Sequence, residues 1–126
     1  MKDHHLNVAL AYYQAMTEKN ITKLEQYLDS NVRLVSPLAI VTGKTAAMEA
    51  ATGFMKAFNT LKIRASFSQD NQVMIAMDID FPEPIGSLRA AVLMTFKDKL
   101  IIENEMFYDA CPFLKIRNEI FASEEK

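Results

Sequence analysis

The period of the apolar pattern in this chain changes from helical to alternating at about residue 61, and that change fixes what the sequence can fold into. Leu6, Ala9, Leu10, Tyr13 and Met16 fall at i, i+3, i+4, i+7 and i+10. Helical geometry places them on one stripe, and a first helix is predicted over residues 3–20. Ile21, Leu24 and Leu28 repeat the spacing in a short second helix, after which Asp29-Ser30-Asn31 supplies turn chemistry. Val32, Leu34 and Ser36 alternate with Arg33 and Val35 as a strand that stops at Pro37, which has no N–H to give to a ladder. After Gly43, the positions of Ala47, Met48, Ala51, Phe54, Met55 and Phe58 mark a third helix with a broad apolar face.

Beyond residue 61 the period is two. Leu61, Ile63, Ala65 and Phe67 alternate with Lys62, Arg64, Ser66 and Ser68, then Asp70-Asn71 turns the chain. Val73, Ile75, Met77, Ile79 and Phe81 form the apolar side of a second long strand, ended by Pro82-Glu83-Pro84-Ile85-Gly86. Leu88, Ala90, Val92, Met94 and Phe96 make a third, and Leu100 to Tyr108 a fourth. Helices followed by an antiparallel meander define an α+β class, with the helices on one face of a curled sheet.

The remaining composition narrows the function classes. At 126 residues, half of them hydrophobic, the chain fits one domain. A domain of that size buries about two-thirds of its unfolded surface and needs no disulfide or metal staple. Residues 1–121 are expected to form that domain and 122–126 a solvated tail. A net charge of −2 and a pI near 5.7 lack the basic excess that phosphate neutralisation requires, so no nucleic-acid partner is expected. Apolar runs stop well short of the ~20 residues of a membrane helix. The opening Met1-Lys2-Asp3-His4-His5 leads into an amphipathic pattern rather than an apolar leader, and a cytoplasmic setting is expected. Cys111 is the single cysteine; no zinc spacing exists, and neither metal nor cofactor is expected. A Cys–His pair would have to recruit His4 or His5, and a passive thiol beside Pro112 is the simpler reading.

Placing the apolar set of each strand toward the helices leaves no charged residue on the inner face through residues 61–96. The last strand admits two registers. Leu100, Ile102, Asn104, Met106 and Tyr108 occupy one face; Ile101, Glu103, Glu105, Phe107 and Asp109 the other. Burying an unpaired carboxylate is far more unfavourable than burying an amide, which points the Asn104 face inward. A three-residue turn at Lys97-Asp98-Lys99 gives that register; a two-residue turn brings Glu103 and Glu105 inside. On the outer face, Met74, Ala76, Ala91, Leu93, Ile101 and Phe107 are apolar where alternation assigns solvent. A contiguous patch of this kind predicts a homodimer through the sheet face.

Two helices, Asn31-Val32-Arg33-Leu34-Val35-Ser36-Pro37, Gly43 opening a third helix, and four strands closing at Ile101-Ile102-Glu103-Asn104-Glu105-Met106-Phe107-Tyr108-Asp109 together resemble the nuclear transport factor 2-like superfamily, most nearly its SnoaL-like group. The resemblance spans residues 5–115. It implies a cone-shaped curved antiparallel sheet wrapped around N-terminal helices, a cystatin-like α+β barrel with a cavity. The superfamily includes ketosteroid isomerases, polyketide cyclases, limonene epoxide hydrolases, dehydratases, non-catalytic transport factors and other pocket proteins. Carried over by residue, the isomerase's oxyanion-binding tyrosine falls on Tyr13, but its general base falls on Ser36 and its second oxyanion donor on Val92, neither of which can do that chemistry. The cyclases' pocket histidine falls on Asn104. No Arg/Asp pair of the epoxide-hydrolase kind appears on the inner faces.

The ligand-binding candidates are therefore Tyr13, Ser36, Asn104 and Tyr108 as the polar contacts, with Met77 and Met94 as adaptable apolar wall. Asn104 is the sharpest, because a lone amide among Leu100, Ile102 and Met106 must find a partner. Glu103, Glu105 and Asp109 are the acids available to catalysis; Asp109 before Ala110-Cys111-Pro112 suits turn capping better, and Asp78 and Asp80 belong to the solvated face. The leading expectation is a protein that binds a hydrophobic small molecule. The alternatives are an isomerase, cyclase or dehydratase acting on a hydrophobic carbonyl or polyketide-like substrate, and a structural or protein-interaction module.

Overall fold

The computed structural model describes residues 2–114, with side chains from His4 onward. The expected tail at 122–126, and the domain limit at 121, lie outside the described residues. The elements run α1 (Lys2–Thr17), α2 (Ile21–Glu25), β1 (Leu28–Val35), β2 (Ile40–Thr42), α3 (Lys44–Ala57), β3 (Thr60–Gln69), β4 (Gln72–Asp80), β5 (Ser87–Lys97) and β6 (Leu100–Tyr108). The α+β class follows as expected, helices first and meander after. No helix among the described residues is long and apolar enough to cross a membrane.

All six strands join one curved, unclosed sheet in the order β2-β1-β6-β5-β4-β3. The β3 to β6 meander is antiparallel throughout, while β1 pairs parallel to β6 and β2 folds back on β1. Two local expectations are corrected here. Asp29-Ser30-Asn31 is not a turn: β1 starts at Leu28 and carries an irregularity between Leu28 and Arg33, which absorbs the polar triplet without ending the strand. The β2 strand was not expected, because three residues after Pro37 show no alternation to read.

Two bulges decide which side chains face the helices. In β3 the register slips between Ile63 and Ala65, so Ser66 pairs with inward Ile75, and Phe67 pairs with Met74 on the outer face. Phe67, predicted inward, is 70% exposed for this reason. At the β5–β6 hairpin the turn is the two-residue kind, pairing Lys97 with Leu100, yet Glu103 and Glu105 do not turn inward. A slip between Thr95 and Phe96 leaves Ile102 as the extra residue, so that Ile101 faces in with Phe96 and Asn104 faces in with Met94. Ile101, predicted on the outer patch, is fully buried; Leu100 and Ile102, predicted inward, are only half-buried.

The core lies between the helices and the inner sheet face. Ala9, Tyr12, Tyr13, Ala15 and Met16 of α1 are buried, a wider arc than the predicted stripe, since alanines at 9 and 15 let α1 settle deep against the sheet. Val73, Ile75, Met77 and Ile79 of β4 and Ala90, Val92, Met94 and Phe96 of β5 alternate inward as read from the sequence. Asn104 is the only buried polar residue among those described. Both tight hairpins place an aspartate at left-handed φ, Asp70 at 55° and Asp98 at 57°. His5 reaches across to both, its ring nitrogens 3.2 Å and 2.9 Å from the Asp70 and Asp98 carbonyl oxygens while the ring stacks on Phe96. This ties the start of α1 to the same end of the sheet and leaves the opposite end to open as a cavity.

Candidate functional site

A cavity of about 310 Å³ opens between α1, α3 and the inner sheet face. Tyr12, Tyr13 and Met16 line it from α1, Ala51 and Phe54 from α3, Leu34 and Ser36 from β1 and its end, and Ile79, Phe81, Leu88, Asn104, Met106 and Tyr108 from the rest of the sheet. Phe113, in the helical turn at 111–114, adds the last side. Its ring meets Phe81 edge-on at 5.3 Å and Tyr108 at 5.5 Å, and Phe81 in turn meets Phe54 at 6.1 Å. These contacts make an aromatic rim in preferred edge-to-face geometry.

Asn104 joins the β6 side of the wall, with Met106 and Tyr108, because the bulge at Ile102 delivers it inward between Leu34 of β1 and Met94 of β5. Its Nδ2 donates to the Tyr13 hydroxyl at 2.9 Å. Its Oδ1 is buried with no hydrogen-bond partner among the described residues. An amide half satisfied in this way is uncommon in a folded interior, where leaving the acceptor unpaired costs about 1–3 kcal/mol. Burial pushes the Tyr12 phenol up to about 12, an effect its contact with Asn104 partly opposes. Tyr13 is raised as well, by burial first and by the neighbouring Tyr12 second, against the pull of Asn104. Both phenols are therefore neutral at ordinary pH and act as hydrogen-bond groups, not as bases.

The other expected site residues divide. Ser36 lines the cavity, but its Oγ also accepts from the Leu38 and Ala39 amides and donates to the Ala39 carbonyl, all at 3.3 Å, so it organises the Pro37 turn. Tyr108 lines the cavity half-buried; burial raises it and the nearby Ser36 hydroxyl works the other way. Met77 and Met94 are 1% and 0% exposed within the core and form no part of the cavity wall. The structure thus brings Tyr13, Ser36, Asn104 and Tyr108 together and leaves both methionines outside the group.

The three acids stand elsewhere. Glu103 is on the outer face, 3.7 Å from Arg33, and Glu105 lies on that face between Leu93 and Val35. Asp109 is exposed, and its Oδ1 accepts from the Cys111 amide at 3.0 Å; that backbone bond holds its carboxyl below the usual range. The same carboxylate raises the Cys111 thiol, which suppresses the reactive thiolate. His5 is occupied with the hairpin turns at the far end. No Asp, Glu, His, Lys or Arg among the described residues lines the cavity, and no group of His, Cys, Asp and Glu among them could hold a metal ion.

Sequence reasoning missed Tyr12 and Phe113. Tyr12 lies off the predicted stripe, and only the depth to which α1 sinks brings it inside; the adjacent Tyr12-Tyr13 pair in a helix with an Ala9/Ala15 seam is the signal that could have found it. Phe113 follows a polar turn and carries no period of its own.

No curated protein matches this chain. Solved structures do. A Kribbella flavida protein is 21% identical, with a TM-score of 0.83 over 96% of this chain and 97% of that one. A proposed ketosteroid isomerase, also from Kribbella flavida, is 13% identical, with a TM-score of 0.75 over 86% of this chain and 79% of its own. A proposed polyketide cyclase from Sinorhizobium meliloti is 15% identical, with a TM-score of 0.75 over 80% of this chain and 94% of its own. At these identities the likeness is one of fold. The sequence profile of the SnoaL-like domain matches residues 9–104, and the chain belongs to the SnoaL-like family of nuclear transport factor 2-like folds.

Proposed function

We propose that this protein binds a neutral hydrophobic small molecule in the cavity between α1, α3 and the sheet. The observation that carries the reading is a cavity of about 310 Å³, walled by aliphatic and aromatic side chains, with one buried polar atom, Asn104 Oδ1, left without a partner among the described residues. A mostly apolar concavity with a few converging polar groups is what small-molecule sites look like. An ionised ligand is disfavoured there, because no cation on the described walls compensates it.

Structural relatives described as an isomerase and a cyclase keep the enzymatic alternative in view. Proton abstraction in this cavity lacks a base among the described wall residues, since Tyr12 and Tyr13 are held protonated and Glu103, Glu105 and Asp109 lie outside it. Binding is the function these residues support best. The test is a thermal-shift panel of steroids, terpenoids, polyketide-like aromatics and fatty acids. A ligand at a hundred times its Kd adds about 2.7 kcal/mol to the native state. A rise in Tm confined to one chemical class supports the reading, and no rise across the panel refutes it.

The same proposal includes a homodimer through the outer sheet face. The bulge in β3 adds Phe67 to a patch in which Phe67, Met74 and Leu93 form one cross-strand row and Ala65, Ala76, Ala91 and Phe107 the next. Phe67, Met74 and Phe107 are 70%, 40% and 45% exposed, a clustering of large apolar groups that monomers rarely leave open.

A further inference from the structure

The hydrogen-bond arrangement at Asn104 restricts the ligand further than the apolar walls do. Nδ2 donates to the Tyr13 hydroxyl oxygen at 2.9 Å, so that oxygen is used as an acceptor while its own proton is free to be given. Beside it, Asn104 Oδ1 is buried, on a side chain only 6% exposed, and receives no proton from any group among the described residues. Where Asn104 meets Tyr13, the wall therefore presents one free donor and one free acceptor side by side, with the Tyr12 hydroxyl, which also touches Asn104, lining the same cavity. Resting on the reading of the cavity as a small-molecule site, we infer that the ligand carries a neutral hydroxyl group, which accepts from Tyr13 and donates to Asn104 Oδ1.

A hydroxyl oxygen does both with one atom, and the three groups then close a ring. Asn104 Nδ2 gives to Tyr13, Tyr13 gives to the ligand, and the ligand gives to Asn104 Oδ1. Bonds linked head to tail polarise one another and strengthen in a low-dielectric site. A ketone can only accept. It leaves Oδ1 unpaired, or needs the amide turned over so that Tyr13 gives its proton to Oδ1 and Nδ2 faces the ligand, an open chain without mutual reinforcement. A carboxylate brings acceptors and a charge to a place that needs a donor. The volume sets the size: at ~30 Å³ for each water-sized group, the cavity holds on the order of ten non-hydrogen atoms.

A matched series on one ten-carbon skeleton tests this: 2-decalol, 2-decalone and decalin-2-carboxylate, titrated at pH 7 into the full-length protein labelled with nitrogen-15, following the Asn104 side-chain amide. The alcohol is expected to bind about tenfold more tightly than the ketone, which corresponds to about 1.4 kcal/mol. The carboxylate is expected to bind more weakly than both. Asn104→Leu and Tyr13→Phe should each erase the preference for the alcohol, and either variant alone suffices if the other does not fold. Ketone binding equal to or tighter than alcohol binding overturns the hydroxyl inference and leaves the cavity reading standing. Failure of all three compounds to bind overturns both.

Discussion

Replacing Asn104 with leucine should make the unliganded protein more stable, although it deletes a buried hydrogen bond. The two side chains branch at the same carbon, so leucine fits the space between Leu34 and Met94 with little repacking. Two effects oppose the change. The bond from Nδ2 to Tyr13 is lost, worth about 1 kcal/mol, and the Tyr13 hydroxyl is left to find another partner, at about 1–2 kcal/mol. Two effects favour it. The unpartnered Oδ1 disappears, recovering about 1–3 kcal/mol, and a buried leucine contributes about 1.5–3 kcal/mol of apolar transfer. The favourable pair wins by on the order of 1–2 kcal/mol.

Urea denaturation followed by circular dichroism measures this directly, and an unchanged m-value shows that the denatured state is not the source. For a domain of this length the gain corresponds to a rise in Tm of about 4 °C per kcal/mol. The refuting result is specific. Destabilisation by more than ~1 kcal/mol would mean that the Asn104 oxygen has a partner within the protein, that the amide is a structural link, and that the case for a ligand loses its main observation. Stabilisation joined to loss of ligand response is the trade expected where a polar group is retained for binding and not for folding.

Two further outcomes follow from the same structure. Tyr12 and Tyr13 have phenols raised above the unfolded value near 10, so their contribution to stability is complete below pH ~10 and is lost as pH climbs through their folded values, the lower of which is about 12. Each contributes a slope of about 1.4 kcal/mol per pH unit in that window; phenolate absorbance at 295 nm should show two tyrosines ionising only as the protein unfolds, and their titration in the folded state near pH 10 would contradict the burial argument. Phe67→Glu alters a residue that is 70% exposed, so monomer stability should move by less than ~0.5 kcal/mol while a homodimer through the sheet face dissociates; sedimentation at micromolar concentration, with the wild type sedimenting as a dimer and the variant as a monomer, checks it, and a dimeric variant would place the interface elsewhere.

How much of this was legible in the sequence depended on whether a strand keeps its period. β4 and β5 alternate without interruption, and every inward residue from Val73 to Phe96 was readable. β3 and β6 carry bulges, and there period-two reading fails by one residue from the bulge onward. In β3 the failure put Phe67 on the wrong face. In β6 two departures cancel: the hairpin is one residue shorter than expected and Ile102 is one residue extra, so Asn104 still faces inward. The rule against burying carboxylates predicted that outcome and the turn length did not, which identifies the force that places the bulge. An unbroken ladder from a two-residue turn would set Glu103 opposite Met94 in a core whose only buried polar residue, among those described, is an amide. Inserting one unpaired residue at Ile102 instead leaves Glu103 beside Arg33 at the surface and costs only a local interruption of the ladder. Deleting Ile102 joins Ile101 directly to Glu103 and should preserve both faces while removing the bend, so Asn104 would remain opposite Met94. Loss of the Asn104 amide's contact with Tyr13 in that variant, seen by NMR, would locate the determinant of the site in the curvature of the sheet and not in the register alone.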